Sequence, residues 1–539
     1  MIKSLEMSGF KVPKTPYSWY NISMIKYQSK GVFLMLRLKP KQLSFHSLLY
    51  DKIPENHILK RIDSVVDFSF INELLKGSYC KEFGRPAKEP EMMCKLLFLQ
   101  HLYNLSDERV IEEASLNLAY LYFLGLNPED ALPDKSLLSK FRTHRLEEST
   151  LDEIITEIVR QCVEKGIIEG GSVSIDTTHI QANTIKKTPE RLMKHLGKKI
   201  IKTYTEETGK TLEDIPEAPA YKEIEDHKEA KAEMKEYLET VIDKVNENIS
   251  ANEQKTKEAI NKAKEILDDP KFINQKGVRS LIDEDARVGY KSKNHNYFGY
   301  KTEFAMTTDE RIITCVRTAN GAYTDGNHTK EMLEQTKKAG IRIDEVYADK
   351  AYFRKPILDD IKEINAKAYI PVSESVYRID ESEFTYNKDS DQWQCSQGNI
   401  TEKRRHFKSK KDKKETYKYY FEINQCKACP IHDKCCKRSS RKILNVGLNT
   451  PEFYEISQYQ KTEEFKEKYK KRASIEGKNA ELKRFHGLYR ARGYGLLSVS
   501  IQSKLAAIAV NIKRIAAIVS SFFILFFKKP IFSKANLGF

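Results

Sequence analysis

Three acidic residues, far apart in the sequence, have side chains of the kind that metal-dependent phosphodiester chemistry uses. Asp176 ends a stretch that alternates like a β-strand after a Gly-Gly turn, Asp349 ends a later strand, and Glu476 lies on a helix near the C-terminus. Two divalent cations about 3.5–4 Å apart can activate a nucleophile and stabilise the leaving oxygen, and Mg²⁺ prefers oxygen ligands. Taken singly, each residue is better explained as a turn or cap residue or as a member of a surface ion pair. The hypothesis therefore depends on the three carboxylates converging.

The stretch YKKRASIEGKNAELKRF, residues 469–485, crowds cations around the third carboxylate. Four of its residues are separated by three, four and seven positions and so share one helix face: Tyr469, Arg472, Glu476 and Lys483. An aromatic ring on such a face can stack on a base, and its cations can neutralise phosphates. The residues that we predict to contact DNA are Tyr469, Arg472 and Lys483, with Arg490 and Arg492 extending the basic face.

Five of the nine cysteines lie between residues 395 and 436. Cys395, Cys426, Cys429 and Cys435 have the spacing C-x30-C-x2-C-x5-C, and Cys436 is an adjacent fifth thiol. Four thiolates would complete a tetrahedral structural zinc site. The alternative is a set of unliganded cysteines in a small β-rich insertion. The run KRRHFKSKKDKK nearby is either a solvated basic loop or a guide for DNA.

The positive charge of the chain is concentrated in its C-terminal part. Residues 401–539 contain 32 Lys and Arg against 12 Asp and Glu, whereas the preceding 400 residues contain 60 against 65. This asymmetry indicates a polyanionic partner or a solvated lysine-rich surface. No cleavable signal peptide is evident, and the apolar stretch at 515–527 is 13 residues long, too short to span a bilayer. We expect a cytoplasmic, nucleoid-associated protein without a membrane partner.

Strand and helix patterns alternate along the chain and predict a mixed α/β core with insertions. Apolar residues at helical spacing fill the region from about 54 to 145, with Ser106 as an N-cap; a helix pair there is either a DNA-binding helix-turn-helix or part of a bundle. A hairpin with the turn TTDE is predicted at 297–319. The predicted segments are an extension (1–44), a helical N-terminal domain (45–150), the core (151–187 and 276–375), a charged helical or coiled-coil-like insertion (188–275), a cysteine-rich insertion (376–455), C-terminal catalytic helices (456–527) and a tail (528–539).

Three of these stretches resemble the signature regions of DDE transposases from bacterial insertion sequences. They are SIDTTHIQANT, YADKAYF and YKKRASIEGKNAELKRF, the last of which matches the pattern Y-x2-R-x3-E-x6-K at every specified position. The resemblance extends over about residues 45–520, to the branch with a helical N-terminal domain and a cysteine-bearing insertion. It implies an RNase H-like core, with Asp176, Asp349 and Glu476 as ligands of two Mg²⁺ or Mn²⁺ ions.

The resemblance also implies the reaction: cutting of DNA at the terminal inverted repeats, then joining of the freed 3′-OH to target DNA. Cutting two ends in concert favours a homodimer on double-stranded DNA. Two alternatives remain open at this point. One is a catalytically silent DNA-binding relative or repressor of the element, and the other is a nuclease of the same fold that cuts without rejoining.

Overall fold

A mixed sheet with helices packed on it forms the centre of the protein. The computed structural model describes residues 43–79, 87–184, 187–212, 215–250, 252–269, 279–280, 282–292, 294–409 and 414–527. Most of the predicted N-terminal extension and all of the C-terminal tail lie outside these residues.

The predicted N-terminal helical region consists of short helices after a 3₁₀ turn at Phe45–Lys52. They are α1 (Ile58–Asp63), α2 (Phe70–Leu75), α3 (Pro90–Leu102), α4 (Asp107–Leu116), α5 (Leu118–Leu124) and α6 (Ser136–His144). The hydroxyl of Ser106 accepts a hydrogen bond from the backbone N–H of Arg109 at 3.2 Å, which confirms the predicted N-cap of α4.

Helix α3 is buried on all sides, from Met92 to Leu102, and it belongs to the same hydrophobic core as the central sheet. Helix α4 would be the recognition helix of a helix-turn-helix, but it carries four carboxylates and one arginine in DERVIEEASL. A helix with that charge is repelled by phosphates. Of the two interpretations left open by the sequence, the structure therefore favours a piece of a helical bundle.

The central sheet contains β1 (Gly171–Gln181), β2 (Arg287–Ser292), β3 (His295–Thr307), β4 (Ile313–Asn320), β5 (Ile343–Tyr347) and β6 (Lys367–Tyr369). The order across it is β2-β3-β1-β5-β6, and β4 also pairs with β3. Strands β1 and β3 are antiparallel, as are β3 and β4, whereas β5 is parallel to both β1 and β6. The hairpin predicted at 297–319 is confirmed as β3 and β4.

One edge of β3 pairs with two strands in succession, first β2 and then β4. Gly299 lies at the change of partner, with φ +158°, and a Cβ there would lie 2.1 Å from the carbonyl oxygen of Ile180 on β1. Only glycine permits this close approach of the strands. Helix α7 (Glu148–Glu164) precedes β1.

The predicted helical insertion is a bundle of three helices with a hydrophobic core of its own. Thr188 caps its first helix, which begins at a proline and ends before Gly209 in the left-handed conformation. Its two ends are held together, because the backbones of Lys187 and Arg279 form a bridge and the hydroxyls of Thr184 and Ser280 lie 2.9 Å apart. The helices are α8 (Pro189–Thr208), α9 (His227–Asn248) and α10 (Gln254–Leu267).

Two more helices of the core, α11 (Thr329–Lys338) and α12 (Lys355–Glu363), flank β5 in sequence. The cysteine-rich region then forms a hairpin of β7 (Phe384–Asn387) and β8 (Gln392–Cys395) and a three-stranded sheet of β9 (Thr401–Lys408), β10 (Glu415–Phe421) and β11 (Ile443–Gly447). Between β10 and β11 lie α13 (Ile423–Lys427) and α14 (His432–Cys436). Trp393, Tyr419 and Phe421 are buried in the main core, so this region is not a separate globule.

The C-terminal helices are α15 (Thr450–Gln460), α16 (Glu463–Tyr469), α17 (Ala473–Phe485) and α18 (Leu496–Phe527), with a 3₁₀ turn at Lys470–Arg472. Helix α18 packs against β4, α1, α3 and α7. The aspartates of the DEDAR stretch cap its start: Asp283 accepts from the N–H of Gly495 and Asp285 from that of Leu496. In the described part of the chain, no helix is long and apolar enough to cross a membrane.

Candidate active site

Asp176 lies on β1 in the middle of the sheet, and its side chain is almost fully enclosed. One oxygen accepts a hydrogen bond from the amide of Asn479 at 2.9 Å, and the other lies 3.4 Å from the guanidinium of Arg472. Burial raises the pKa of Asp176 to about 6; Arg472 opposes the rise, whereas the carboxylates of Asp349 and Glu476 add to it. Both other predicted carboxylates are therefore electrostatic neighbours of Asp176.

Asp349 follows β5, the parallel neighbour of β1. In that pairing Ser174 lies opposite Tyr347, so Asp176 and Asp349 are each two residues beyond a matched pair. The register of the strands thus brings the two aspartates to the same level of the sheet. The side chain of Asp349 accepts a hydrogen bond from the N–H of Ala351 at 2.9 Å and caps a 3₁₀ turn.

Glu476 lies in the first turn of α17, and its side chain is 60% exposed. Arg472 joins it to the sheet, because one guanidinium nitrogen is 2.7 Å from Glu476 and another is 3.4 Å from Asp176. We call Asp176, Asp349, Glu476 and Arg472 the carboxylate site. Among the described residues no three His, Cys, Asp or Glu side chains are grouped so as to hold a metal ion. In this structure the cation between Asp176 and Glu476 is the protein's own arginine.

Tyr469 and Arg472 were predicted to share a continuous helix face with Glu476, but the 3₁₀ turn at Lys470–Arg472 separates α16 from α17. The ring of Tyr469 stacks on that of Phe465, with centroids 5.7 Å apart. Burial raises the pKa of its phenol, and the neighbouring carboxylates act in the same direction. One face of this ring is thus occupied within the protein.

Lys483 lies on α17 with its amine 3.4 Å from the ring of His179 on β1. Burial lowers the pKa of Lys483 to about 8, and the nearby Lys291 contributes in the same direction. Burial likewise lowers the pKa of His179 to about 4, and its ring packs on Tyr297 at 4.8 Å. Lys483 is therefore a partly buried amine beside the carboxylate site.

The last two residues predicted to contact DNA differ from each other. Arg490 is exposed and adjoins β1 through a backbone bridge to Gln181. Arg492 instead binds the turn between α3 and α4, where its guanidinium donates to the side chain of Asn104 at 2.6 Å and to the carbonyl of Leu105 at 3.1 Å. Its guanidinium fixes the helical region to the core.

Glu303 is a residue of the site that the sequence analysis missed. It lies on β3, is 1% exposed, and accepts hydrogen bonds from the hydroxyls of Tyr323 at 2.7 Å and Tyr352 at 3.0 Å. Further contacts come from the backbone N–H of Gly326, the ring of His328 and the hydroxyl of Thr177. Burial would raise the pKa of Glu303, but these hydrogen bonds outweigh it and leave that pKa below its ordinary value.

The contacts of Glu303 connect the two aspartates. Thr177 follows Asp176 on β1, and Tyr352 ends the turn that Asp349 caps; their hydroxyls are 2.7 Å apart. A single acidic residue within the apolar strand YFGYKTEFAMT was the signal in the sequence. Asn479, three residues after Glu476 on the same helix face, was a second residue that spacing could have indicated.

The structure groups the cysteines differently from the zinc prediction. Cys436, which was outside the predicted set, lies within hydrogen-bonding reach of Cys426 and Cys435, and burial raises the pKa of its thiol to about 11. Cys395 ends β8 and packs on the hydrophobic core. The predicted set of Cys395, Cys426, Cys429 and Cys435 is not arranged around a common metal position in the described residues. The zinc site stays a prediction.

Two family models match the chain, and both describe transposases. Residues 47–144 match a transposase domain (DUF772), and residues 394–516 match a transposase DDE domain. One stretch of the chain is thus similar to a transposase domain and another to a transposase DDE domain, and together they cover less than half of it. The first match covers α1 to α6, and the second runs from β8 into α18, so it includes Glu476 but neither aspartate.

Among known proteins, this transposase-like chain is 30% identical over 125 residues to an uncharacterised protein, ORF8 in the nfe locus of Rhizobium meliloti. That alignment covers 22% of the chain and 59% of the relative, so the chain spans less than two thirds of the relative's length. Among solved structures, a cryo-EM structure of the piggyBac transposase synaptic complex with hairpin DNA aligns over 89% of this chain and 76% of that one. Its sequence identity is 11% and its TM-score 0.29, too low to support an argument about fold or site.

Proposed function

We propose that this chain is the DNA transposase of an insertion sequence. It cuts DNA at the terminal inverted repeats of its element and transfers the 3′-OH ends to target DNA, with Asp176, Asp349 and Glu476 as ligands of divalent ions. The observation that carries the proposal is the position of three carboxylates that are up to 300 positions apart in the sequence. The strand register supports Asp176 and Asp349 as neighbours, and Arg472 contacts both Asp176 and Glu476. The two transposase-domain matches support the same reaction.

The donor set at the carboxylate site suits a hard cation. Carboxylate and amide oxygens are typical Mg²⁺ ligands, and Oδ1 of Asn479, beside Asp176, is a buried oxygen without a hydrogen-bond partner among the described residues. Bound divalent ions would activate the attacking oxygen and stabilise the leaving one. For them to enter, the guanidinium of Arg472 must leave its position between Asp176 and Glu476, which frees it to contact a DNA phosphate.

Within this proposal the cations around the site hold DNA. Lys483 and Arg490 have amine and guanidinium groups that can reach phosphates, and Arg472 joins them when it is displaced. Tyr469 has one ring face stacked on Phe465, so it presents at most the other face to a base. Arg492 acts indirectly, by holding the turn at Asn104 against the core.

We also infer that the core is RNase H-like. Without β2, the sheet order is β4-β3-β1-β5-β6, in which three antiparallel strands are followed by two parallel ones. This is the order 3-2-1-4-5 expected of that fold, with the first aspartate on strand 1 and the second after strand 4. Concerted cutting of two ends favours two copies of the chain on one DNA complex.

Cleavage of a supercoiled plasmid tests the proposal. The plasmid carries the genomic DNA that flanks this reading frame, and the reaction contains Mg²⁺ or Mn²⁺. We expect the wild type to nick it and to form joined products, and Asp349→Asn to do neither while still binding the DNA. Asparagine can cap the turn at Ala351 as aspartate does, so the fold is preserved. Asp344→Asn, on the same strand but exposed and paired with Arg342, is the matched control and should cleave normally.

Each contrary result has a distinct meaning. Full cleavage by Asp349→Asn would show that Asp349 is not needed for catalysis. A wild type that binds the flanking DNA but never nicks it would favour a silent DNA-binding relative or repressor. Cutting without any strand-transfer product would favour a nuclease.

A further inference from the structure

The cysteine-rich region presents a sheet face on which exposed cations alternate with aromatic rings. Along β9 the side chains of Lys403, Arg405 and Phe407 lie on one face, because successive residues of a strand point to opposite sides. Their partners on β10 are, in register, Tyr420, Lys418 and Thr416. We call Lys403, Arg405, Phe407, Lys418 and Tyr420 the open face.

The two faces of β9 differ in how their cations are neutralised. On the opposite face, Arg404 pairs with Asp391, and both His406 and Lys408 pair with Glu415, at 3.1 and 2.7 Å. On the open face, no carboxylate of the described chain lies within ion-pair distance of Lys403, Arg405 or Lys418. On β9, the cations of the open face thus lack carboxylate partners in the described chain, whereas those of the opposite face have them.

Two of the three cations of the open face, Arg405 and Lys418, lie on aromatic rings. The guanidinium of Arg405 lies 5.7 Å from the ring centroid of Tyr420, and the amine of Lys418 lies 3.9 Å from that of Phe407. Arg405 and Lys418 therefore each rest on a ring of the neighbouring strand. The phenylalanine ring is 45% exposed. Stacking of this kind restrains long side chains and reduces the entropy lost when they bind a ligand.

Arg405 and Lys418 lie directly opposite each other in the β9–β10 register. Like charges in such a pair are destabilising, and no acidic side chain of the open face offsets them. A bound anion would offset this repulsion between Arg405 and Lys418. Because the cations are spread along two paired strands, the complementary partner is an extended polyanion.

We propose that the open face binds the phosphate backbone of double-stranded DNA, independently of the carboxylate site. This inference rests on the proposed function, which supplies DNA as the partner. Cation contacts to phosphates position a duplex without reading its sequence. The open face therefore holds DNA of any sequence and adds affinity to the complex that the carboxylate site cuts.

Binding of a random-sequence 40-base-pair duplex by the full chain, measured across a range of salt concentrations, tests the inference. For Lys403→Ala/Arg405→Ala we expect roughly tenfold weaker binding and a log Kd–log salt slope that is flatter by about two, since each lost phosphate contact contributes about 0.9. The control is Arg404→Ala/Lys408→Ala, which removes the same charge from the same strand but from the paired face. It should bind like the wild type. Thermal unfolding of both variants checks that the sheet is intact, and Lys403→Gln/Arg405→Gln is the second version should the alanine variant not fold.

Equal weakening by both double variants would overturn the inference, because net charge alone would then explain it. An unchanged slope in Lys403→Ala/Arg405→Ala, or a changed oligomeric state without loss of DNA binding, would overturn it too; the latter would assign the face to contacts between copies. A wild type that never nicks DNA yet shows the expected slope change would contradict the proposed function and leave this inference standing.

Discussion

The single cation of the carboxylate site and the three cations of the open face differ in what lies beside them. At the carboxylate site Arg472 lies between Asp176 and Glu476, so the protein supplies both charges. On the open face Arg405 and Lys418 rest on aromatic rings. The same residue types thus have two physical roles. Where the charges are internally paired, removing one leaves a buried partner unsatisfied, whereas on the open face removal should affect only binding.

The largest effect on stability is expected at Glu303, whose carboxylate accepts hydrogen bonds from other groups of the protein. Glu303→Gln places an amide NH₂ where hydroxyls and an N–H donate, and we expect the free energy of unfolding to fall by about 3 kcal/mol. Urea unfolding measures this, and plasmid nicking should fall as well, since Tyr352 and Thr177 lose their common partner. Glu331→Gln, in an exposed pair with Arg317, is the control and should change stability by less than about 0.5 kcal/mol. Comparable unfolding curves for the two variants would contradict the role of Glu303.

Arg472→Ala should have the next largest effect. Without the guanidinium, the carboxylates of Asp176 and Glu476 lose their bound cation, and we expect a loss of about 2 kcal/mol in the metal-free protein. Because Mg²⁺ no longer competes with an arginine, its addition should raise the melting temperature more than in the wild type. Calorimetry with and without Mg²⁺ measures both. Arg342→Ala removes an exposed pair with Asp344 and should behave like the wild type. If Mg²⁺ raised the melting temperatures of the wild type and Arg472→Ala equally, the proposed competition between Mg²⁺ and Arg472 would be contradicted.

Lys483→Ala tests an intermediate case, a cation that is partly buried but has no carboxylate contact within ion-pair distance among the described residues. We expect the salt slope of DNA binding to flatten by about one. The lowered pKa of about 8 means that this amine is charged at pH 7 and increasingly neutral above pH 8. The difference between wild type and variant should therefore shrink when binding is measured at pH 9. Lys466→Ala, in an exposed pair with Glu463, is the control. A difference that grows with pH would contradict the expectation.

The smallest effect should be on the stability of the open-face variant. Lys403→Ala/Arg405→Ala removes exposed charges without carboxylate partners in the described chain, so its free energy of unfolding should stay within about 0.5 kcal/mol of the wild type. Denaturant unfolding measures this beside the DNA-binding assay. A loss as large as that of Arg472→Ala would erase the distinction between the two regions.

Local patterns were enough to predict the hairpin of β3 and β4 and the N-cap at Ser106. The predicted triad depends on strand ends, on the spacing of residues 469–485 and on the resemblance to DDE transposases, and it stays a prediction. The sequence did not indicate which distant side chains each charged residue contacts. Arg472 pairs with an aspartate 296 positions away, and nothing in a lysine-rich helix distinguishes that from a solvated side chain.

Three further details depend on the tertiary fold in the same way. Helical spacing alone does not distinguish a coiled-coil-like arm from the three-helix bundle of α8 to α10, because both bury one stripe of each helix. The spacing of the cysteines suggested four ligands, but the fold brings Cys436 to Cys426 and Cys435. The burial of Glu303 follows from the register of β3 with β1, which depends on the whole sheet.

The paired ends of the α8–α10 bundle make this insertion a detachable module. The hydroxyls of Thr184 and Ser280 are in contact, so the chain leaves the central sheet and returns to it at one point. The bundle also has a hydrophobic core of its own, separate from that of the sheet. A short glycine-serine link across this neck should replace the whole segment, and evolution can lengthen, exchange or delete it without disturbing the strands that carry Asp176 and Asp349.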